Sequence, residues 1–167
     1  MFYQKVDDRC AFTLTIPGLD ASAKAILSVL KKAGFEIVAV NMIEHARTLI
    51  GHSRYHRAVP MSAAPNVVDC ASLVKWLYGA RGVWLPRNFL RWQAFGVPVH
   101  ETIGGDLVFT TGRCGSGVGH VGIASGPDTM IHAANRVGVQ EIRFDVLTKS
   151  RSICMCRRLF SKDVETV

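Results

Sequence analysis

The second half of the chain is a series of short segments with strand-like composition. They follow Gly105, and the turn signals GSG, SGPD and NRVG separate the first four of them. Segments joined by so few residues pair as antiparallel hairpins, because a parallel connection needs a crossover of about a dozen residues or more. We therefore predict an antiparallel sheet. Its strands are expected at DLVFT, VGHVGIAS, TMIHAA, GVQEIRF and ICMCRRL.

The first half of the chain has helical periodicity instead. LDASAKAILSVLKKAGF has apolar residues at helical spacing, with Asp20 as the N-cap and Gly34 as the stop, and NMIEHARTLIG predicts a second helix. A third helix is capped by Asp69 and runs from Cys70 to about Tyr78, and LPRNFLRWQAFG predicts a fourth, shorter one. Helices followed by hairpin-connected strands predict an α+β fold, with the helices packed on the antiparallel sheet.

Length and composition indicate a single compact domain. The 167 residues, 49% of them hydrophobic, suffice for one core. The apolar runs are shorter than the roughly 18 residues of a membrane helix, and MFYQKVDDRC lacks the pattern of a signal peptide, so we expect no membrane span and either a cytoplasmic location or a signal-independent export route. Five cysteines without framework spacing predict mostly free thiols. The oligomeric state stays open.

The net charge of the chain favours anionic partners. Twenty Lys and Arg against thirteen Asp and Glu give +7 at pH 7, which suits nucleic acid, lipid headgroups or cell-wall polymers that carry carboxylates. The basic residues are scattered, and no zinc finger, helix-turn-helix or RNA-binding aromatic motif is present. We therefore do not expect nucleic acid as a partner.

Cys70 stands at a position that suits a nucleophile. A thiol in the first turn of a helix is exposed to the positive end of the helix dipole and to unpaired N–H groups, which lower its pKa. Catalysis also needs a base and a group that orients the base. His120 in VGHVGIAS and His132 in TMIHAA lie on neighbouring predicted strands, where His132 could hold one ring nitrogen of His120 and leave the other to face Cys70. Each of the three could instead be an ordinary core residue.

The order and spacing of five short motifs resemble one known family. DCASLVKWLY, LPRNFLRWQAFG, GGDLVF, GHVGIAS and MIHAANRVGV are similar to the NlpC-type cell-wall cysteine peptidases, over roughly Ile43 to Phe144. The resemblance implies a papain-like fold. It also implies Cys70 as the nucleophile, His120 as the general base and His132 as the polar third member. Residues 41–160 are then expected to form the peptidase domain, preceded by a helical segment over 1–40 and followed by a C-terminal tail over 161–167.

Two further residues are candidates for the oxyanion site or the binding groove. The family commonly has a tyrosine in the loop before the cysteine, and Tyr55 is the residue that could match. The glycine-rich segment that usually follows this tyrosine is replaced by HRAVPMSAAPN, and the usual serine-glycine pair after the cysteine is Ala71-Ser72. Trp76, Trp84 and Trp92 recur at eight-residue intervals, which is more typical of core packing, although Trp92 is a candidate for the groove.

The resemblance implies hydrolysis of peptidoglycan stem peptides between D-glutamate and a diamino acid, through an acyl-enzyme and without a cofactor. Peptidoglycan fragments or other peptides are then the expected partners. Three alternatives stay open: a thiol amidase, deamidase or acyltransferase that acts on another substrate, an inactive wall-binding module, and a basic nucleic-acid-binding domain. The sequence itself contains no recognisable specificity pocket.

Metal sites are possible but weakly indicated. His45, His52 and His56 would share one face of a continuous helix, but Gly51 and the loop-like composition after it interrupt that helix. Cys154 and Cys156 form a CxC pair beside basic residues rather than beside further ligands. We therefore predict no metal. Cys114, in the GRCGSG loop, is expected to be an exposed thiol.

Overall fold

The computed structural model describes residues 2–5, 11–13, 32, 35–38, 41–81, 83, 85–112 and 117–159. The regular elements of these residues are helices α1 (Met42–Arg47), α2 (Cys70–Ala80) and α3 (Phe144–Leu147), 3₁₀ helices Met61–Ala63 and Phe89–Ala94, and strands β1 (Phe2–Lys5), β2 (Ala11–Thr13), β3 (Phe35–Val38), β4 (Arg54–Tyr55), β5 (Val67–Val68), β6 (Val97–Val99), β7 (Leu107–Thr111), β8 (Val118–Ala124), β9 (Thr129–Ala134), β10 (Gly138–Arg143) and β11 (Ile153–Arg158).

A six-stranded antiparallel sheet forms the body of the domain. Its strand order is β10-β9-β8-β7-β11-β6, so four consecutive strands meander by hairpins and β11 returns beside β7. Strand β7 is buried from Leu107 to Thr110 and β8 from His120 to Ala124, as expected for central strands covered by other elements. Chemistry-bearing side chains on β8 and β9 therefore lie on buried strands with a paired strand on each side.

Helix α2 packs against this sheet with its apolar side. Leu73, Val74 and Leu77 are fully buried in one cluster with Phe109 and Val121 of the sheet. The helix begins at Cys70 because Asp69 forms a capping box: its carboxylate accepts the N–H of Ser72 at 2.7 Å, and the Asp69 N–H donates to Ser72 Oγ at 2.8 Å. Packing and capping together fix the first residue of α2 over the sheet.

A buried ion pair fastens the opposite side of the sheet. Arg158 of β11 donates to both carboxylate oxygens of Asp106, at 2.9 and 2.7 Å, and Asp106 also accepts the N–H of Ile103 at 2.8 Å. A second Arg158 contact goes to the Glu101 carbonyl at 3.0 Å. The Asp106 side chain is 2% exposed, so these bonds replace the water that the carboxylate gives up.

The observed architecture confirms the predicted α+β class and the five predicted strands. Helices α1 and α2 also form as predicted, and α1 is capped by the Asn41 side chain. The segment predicted as a fourth helix is a 3₁₀ helix, Phe89–Ala94. Strands β4, β5 and β6 and the single turn of α3 were not predicted, because each has only two to four residues.

Residues 1–40 contain strands that the prediction of a helical segment did not include. Strands β1, β2 and β3 form a three-stranded antiparallel sheet in the order β2-β1-β3. The predicted helix between Asp20 and Gly34, apart from Lys32, lies outside the described residues, as do Cys114 and the whole predicted C-terminal tail over 161–167. None of the helices in the described part of the chain has the length and apolarity needed to cross a membrane.

Candidate active site

A cleft of about 1230 Å³ opens where the start of α2 meets strands β8, β9 and β10. Cys70 reaches it from the helix, and His120 and His132 reach it from the sheet. Tyr55 reaches it from the loop before the helix. Four of the five residues that the sequence nominated for a site therefore line one cleft, and the fifth, Trp92, does not.

Cys70 is partly buried at the first position of α2, with its sulfur among backbone N–H groups. Those of Val121, Ala71 and Cys70 itself contact the thiol and lower its pKa, in the direction that its place in the helix predicts. Burial outweighs them and raises the pKa of the Cys70 thiol, and the neighbouring Asp69 carboxylate raises it further. The predicted lowering of the thiol pKa is thus wrong for the resting site: this thiol needs a base to remove its proton.

His120 and His132 form a buried imidazole pair. Nε2 of His120 lies 2.7 Å from Nδ1 of His132, and the rings meet edge to face with centroids 4.9 Å apart. Their exposed fractions are 5% and 4%. Burial lowers the pKa of His120 to about 3, with the positive charges of a protonated His132 and of Arg151 acting in the same direction. Burial and Arg151 likewise lower the pKa of His132 to about 4, so both rings are neutral at pH 7.

The Nε2 contact leaves Nδ1 of His120 as the ring nitrogen available to Cys70. A neutral imidazole is an acceptor at one nitrogen, and the thiol sulfur touches the N–H of Val121, the residue next to His120. A thiol that shares a cleft with a neutral imidazole, whose other ring nitrogen is already engaged, is the combination of groups that general base catalysis uses.

Glycines on β8 permit the close strand approach that brings the imidazoles together. A Cβ on Gly122 would lie 2.9 Å from the His132 Cβ and 2.7 Å from the Ile131 carbonyl oxygen. A Cβ on Gly119 would lie 2.6 Å from the Cα of Gly112, the residue that follows β7. Any side chain at Gly122 would push β9, and His132 with it, away from His120.

Gln140 extends the imidazole pair by one more group. It stands directly opposite His132 in the β9–β10 ladder, and its amide nitrogen lies 2.9 Å from His132 Nε2. The sequence analysis missed this residue. A hairpin register counted outward from the NRVG turn pairs Gly138 with Ala134 and therefore Gln140 with His132, so the signal was present.

Tyr55 lies on the cleft wall at the end of β4. Burial raises the pKa of its hydroxyl, and Cys70 and Asp69 add to the effect. The segment is held against β10 at Gly138, where a Cβ would lie 2.3 Å from the Ser53 carbonyl oxygen. Gly138 also has φ +88°, a conformation that suits glycine, so this junction tolerates no side chain.

Trp92 is a core residue and does not line the cleft, which corrects the prediction that it belongs to the groove. Its side chain is fully buried, and its indole N–H donates to the Pro86 carbonyl at 2.9 Å. Phe89 packs on it edge to face at 6.3 Å. The physical reason is the 3₁₀ geometry of Phe89–Ala94, which turns this tryptophan toward the hydrophobic core.

The residues considered for metal binding are not brought together. The His45 ring stacks on Trp76, with centroids 4.7 Å apart, and His52 and His56 are exposed. Among the described residues no group of three or more His, Cys, Asp or Glu side chains is arranged to hold a metal ion. Cys154 is exposed on β11 and Cys156 is partly buried, both as free thiols.

Basic side chains dominate the charge of the cleft. Arg57, Lys75, Arg87 and Arg151 line it together with one acidic residue, Asp69, whose carboxylate is engaged in capping α2. Arg151 also donates to the Thr111 carbonyl at 2.9 Å, which holds it beside the imidazoles. An anionic ligand is therefore favoured over a cationic one.

Comparison with known proteins identifies related sequences and structures. A protein of Corynebacterium glutamicum named probable endopeptidase Cgl2188 is 38% identical over 96 residues, which cover 56% of this chain and 42% of that protein. The chain thus matches less than half the length of this curated relative.

Solved structures show the same fold. NlpC2 from Trichomonas vaginalis superimposes with a TM-score of 0.62 at 19% identity, over 77% of this chain and 53% of that one. The NlpC/p60 domain of peptidoglycan hydrolase SagA gives 0.53 at 23% identity, over 70% of this chain and 95% of that domain. The predicted papain-like fold is confirmed. The model of the NlpC/P60 family matches residues 53–155, which is more than half of the chain, and the protein therefore belongs to the NlpC/P60 family.

Proposed function

We propose that the domain is a cysteine peptidase that hydrolyses amide bonds in peptidoglycan stem peptides, between D-glutamate and a diamino acid. The observation that carries the proposal is the meeting of Cys70 with the buried imidazole pair in one cleft. The names of the relatives, a probable endopeptidase and a peptidoglycan hydrolase, support the substrate class. The basic cleft lining suits a peptide that carries free carboxylates.

The first half of the reaction forms an acyl-enzyme. As substrate binds, the Cys70 proton passes to Nδ1 of His120 and the sulfur attacks the carbonyl carbon of the scissile bond. The oxyanion that forms accepts a hydrogen bond from the Cys70 backbone N–H. When the carbon–nitrogen bond breaks, His120 gives its proton to the leaving amine, and the acyl group stays on sulfur.

The second half releases the product. Water enters the place of the amine, His120 takes one of its protons, and the oxygen attacks the thioester carbon. The carbon–sulfur bond breaks and the sulfur recovers its proton from His120, which restores the starting state. His132 keeps the His120 ring oriented in both halves. Tyr55, which lines the same cleft and interacts electrostatically with Cys70, is assigned to the oxyanion side.

The test is digestion of purified muropeptides of defined stem length, with the products identified by mass spectrometry. We expect new amino termini at the diamino acid, and a loss of at least about a thousandfold in kcat for Cys70→Ala. Cys154→Ala is the matched control, since it removes an exposed thiol outside the cleft.

Other outcomes separate the alternatives. Cleavage of other amides, but not of muropeptides, would replace the proposed substrate with that of an amidase or deamidase on the same fold. Binding of peptidoglycan without any turnover, equal in wild type and Cys70→Ala, would indicate a wall-binding module instead.

A further inference from the structure

A chain of three side chains runs across three adjacent strands behind Cys70. We call His120, His132 and Gln140 the imidazole relay. His120 Nε2 lies 2.7 Å from His132 Nδ1, and His132 Nε2 lies 2.9 Å from the Gln140 amide nitrogen. Both rings are buried, so each of these contacts replaces water that the ring nitrogens have lost.

The hydrogens in such a chain must all point the same way. Each neutral imidazole has one N–H and one lone pair, so the choice of tautomer on one ring dictates the tautomer on the next. If His132 carries its hydrogen on Nδ1, it donates to His120 Nε2, and the His120 hydrogen then sits on Nδ1. That nitrogen is the one available to Cys70, and with a hydrogen already on it, it cannot accept the thiol proton.

The reactive direction is the opposite one. His120 must carry its hydrogen on Nε2 and donate it to His132 Nδ1, which requires the His132 hydrogen to be on Nε2. The next group along must then accept a hydrogen bond. As placed, the Gln140 amide nitrogen faces His132 Nε2, which corresponds to the unreactive direction. A half-turn of the amide presents its oxygen in the same place, so Gln140 can supply either partner from one position.

We propose that Gln140 is a positioning residue that selects the reactive tautomer of the imidazole pair, by turning its amide oxygen toward His132 Nε2. The proposal rests on the proposed function, since it assigns His120 the role of base. The backbone register supports it: Gln140 and His132 are direct cross-strand partners, and Arg47 of α1 grips the adjacent Glu141 through two hydrogen bonds of 3.2 and 2.9 Å.

The remaining neighbour of the relay does not serve this purpose. Arg151 acts on both rings only through its positive charge, and its guanidinium is engaged with the Thr111 carbonyl at 2.9 Å. The charge of Arg151 adds to the effect of burial in keeping both rings neutral, but it does not choose between their nitrogens. Within the described residues, the hydrogen-bond partner of His132 Nε2 is Gln140.

The experiment compares Gln140→Met, which keeps the length of the side chain but offers no strong hydrogen bond, with Gln140→Glu, which only accepts. Tautomers of the ¹⁵N-labelled histidine rings are read by NMR in the full chain, and kcat and KM are measured on the muropeptide. We expect hydrogen on Nε2 of both rings in the wild type, and mixed tautomers in Gln140→Met with kcat reduced about tenfold and KM within twofold. Gln140→Glu should keep both the tautomer and kcat within about threefold.

Gln93→Met is the matched control, because Gln93 is also half-buried and donates to the Leu90 carbonyl at 2.9 Å, outside the cleft. It should leave tautomers and kcat unchanged. The proposal is overturned by hydrogen on His132 Nδ1 in the wild type, or by wild-type tautomers and kcat in Gln140→Met. A Gln140→Met variant that changes KM alone would make the residue part of the substrate groove.

Failure of the proposed function looks different. If neither Cys70→Ala nor His120→Ala lowers turnover, the catalytic assignment is wrong whatever the NMR spectra show. If both abolish turnover and Gln140→Met does not lower it, only the role of Gln140 is wrong.

Discussion

Two buried polar clusters lie in the same sheet, and they meet the cost of burial in different ways. The imidazole relay uses neutral groups joined by single hydrogen bonds of 2.7 and 2.9 Å. The ion-pair cluster, Asp106 with Arg158, uses opposite charges joined by two bonds and supported by backbone groups of Ile103 and Glu101.

The difference between the two clusters corresponds to a difference in role: the ion-pair cluster stabilises the fold, and the relay is the one proposed to take part in the reaction. In the ion-pair cluster Arg158 always donates and the Asp106 carboxylate always accepts, so the hydrogen bonds between them have one arrangement. The relay has two states that differ only in which nitrogens carry hydrogen, and its outer end faces a thiol. Only the relay has hydrogens that can be rearranged without breaking its hydrogen-bonded contacts, which is what its proposed role in proton transfer requires.

The largest expected effect breaks the ion-pair cluster. Asp106→Ala leaves Arg158 partly buried without its partner, and we expect the free energy of unfolding to fall by about 3–5 kcal/mol. Urea denaturation measures it. Asp145→Ala is the control, because the Asp145–Arg143 pair is exposed and should add nothing measurable. Equal effects of the two substitutions would contradict the distinction between a buried and an exposed pair.

Gly122→Ala tests the spacing of the relay. The new methyl would meet the Ile131 carbonyl oxygen at 2.7 Å and the His132 Cβ at 2.9 Å, so we expect about 1–3 kcal/mol of destabilisation and a loss of at least about tenfold in kcat. The control is Gly79→Ala in α2, where nothing lies within 4 Å and a helical alanine should stabilise by roughly 0.5–1 kcal/mol. Unchanged kcat in Gly122→Ala would show that catalysis tolerates a change in the distance between His120 and His132.

The two histidines of the relay should make the stability of the fold depend on pH. The pKa values of His120 and His132 are lowered to about 3 and 4 in the fold, so below about pH 6.5 the unfolded chain binds more protons than the folded one. Stability is then fully present above pH 6.5 and falls by about 2 kcal/mol for each ring between pH 6.5 and 5. Thermal unfolding over this range measures it.

Removing one histidine tests whether the loss of stability at acidic pH comes from the relay. His132→Gln removes one titrating ring and should flatten the decline between pH 6.5 and 5 by about half. His52→Gln, at an exposed ring, should leave the decline as it is. The same slope in all three proteins would place the pH dependence elsewhere in the chain.

The smallest effect concerns a polar group outside both clusters. Trp92→Phe removes the N–H that donates to the Pro86 carbonyl, and we expect a loss of about 1 kcal/mol with unchanged KM. Calorimetry and muropeptide kinetics measure the two. A raised KM would indicate that Trp92 affects substrate binding, as the original prediction for the groove requires.

The parts of the site that could be predicted depend on short-range patterns. Asp69 before an apolar helical run predicts the start of α2. The turn signals and strand-like composition around His120 predict that this glycine-flanked residue lies on a strand of the sheet. Those features place the thiol and the imidazoles without any knowledge of the tertiary contacts.

The parts that were missed depend on register and burial. Gln140 becomes relevant only once the β9–β10 ladder sets it opposite His132. The rise in the Cys70 pKa comes from the elements that cover it, and helix position alone predicts the opposite sign. The eight-residue spacing of the tryptophans favoured core packing, and Trp92 does lie in the core; its candidacy for the groove rested on no pattern that register or burial could support.

The meander of β7 to β10 has a consequence for how the protein is made. The relay is built from hairpin neighbours, separated in the chain by 12 and 8 residues, whereas the thiol arrives from a helix much earlier in the sequence. Contacts between chain neighbours form sooner during folding than contacts that close a long loop. The relay is therefore assembled from neighbouring hairpins, whereas the meeting of Cys70 with His120 requires helix α2 to dock on the completed sheet.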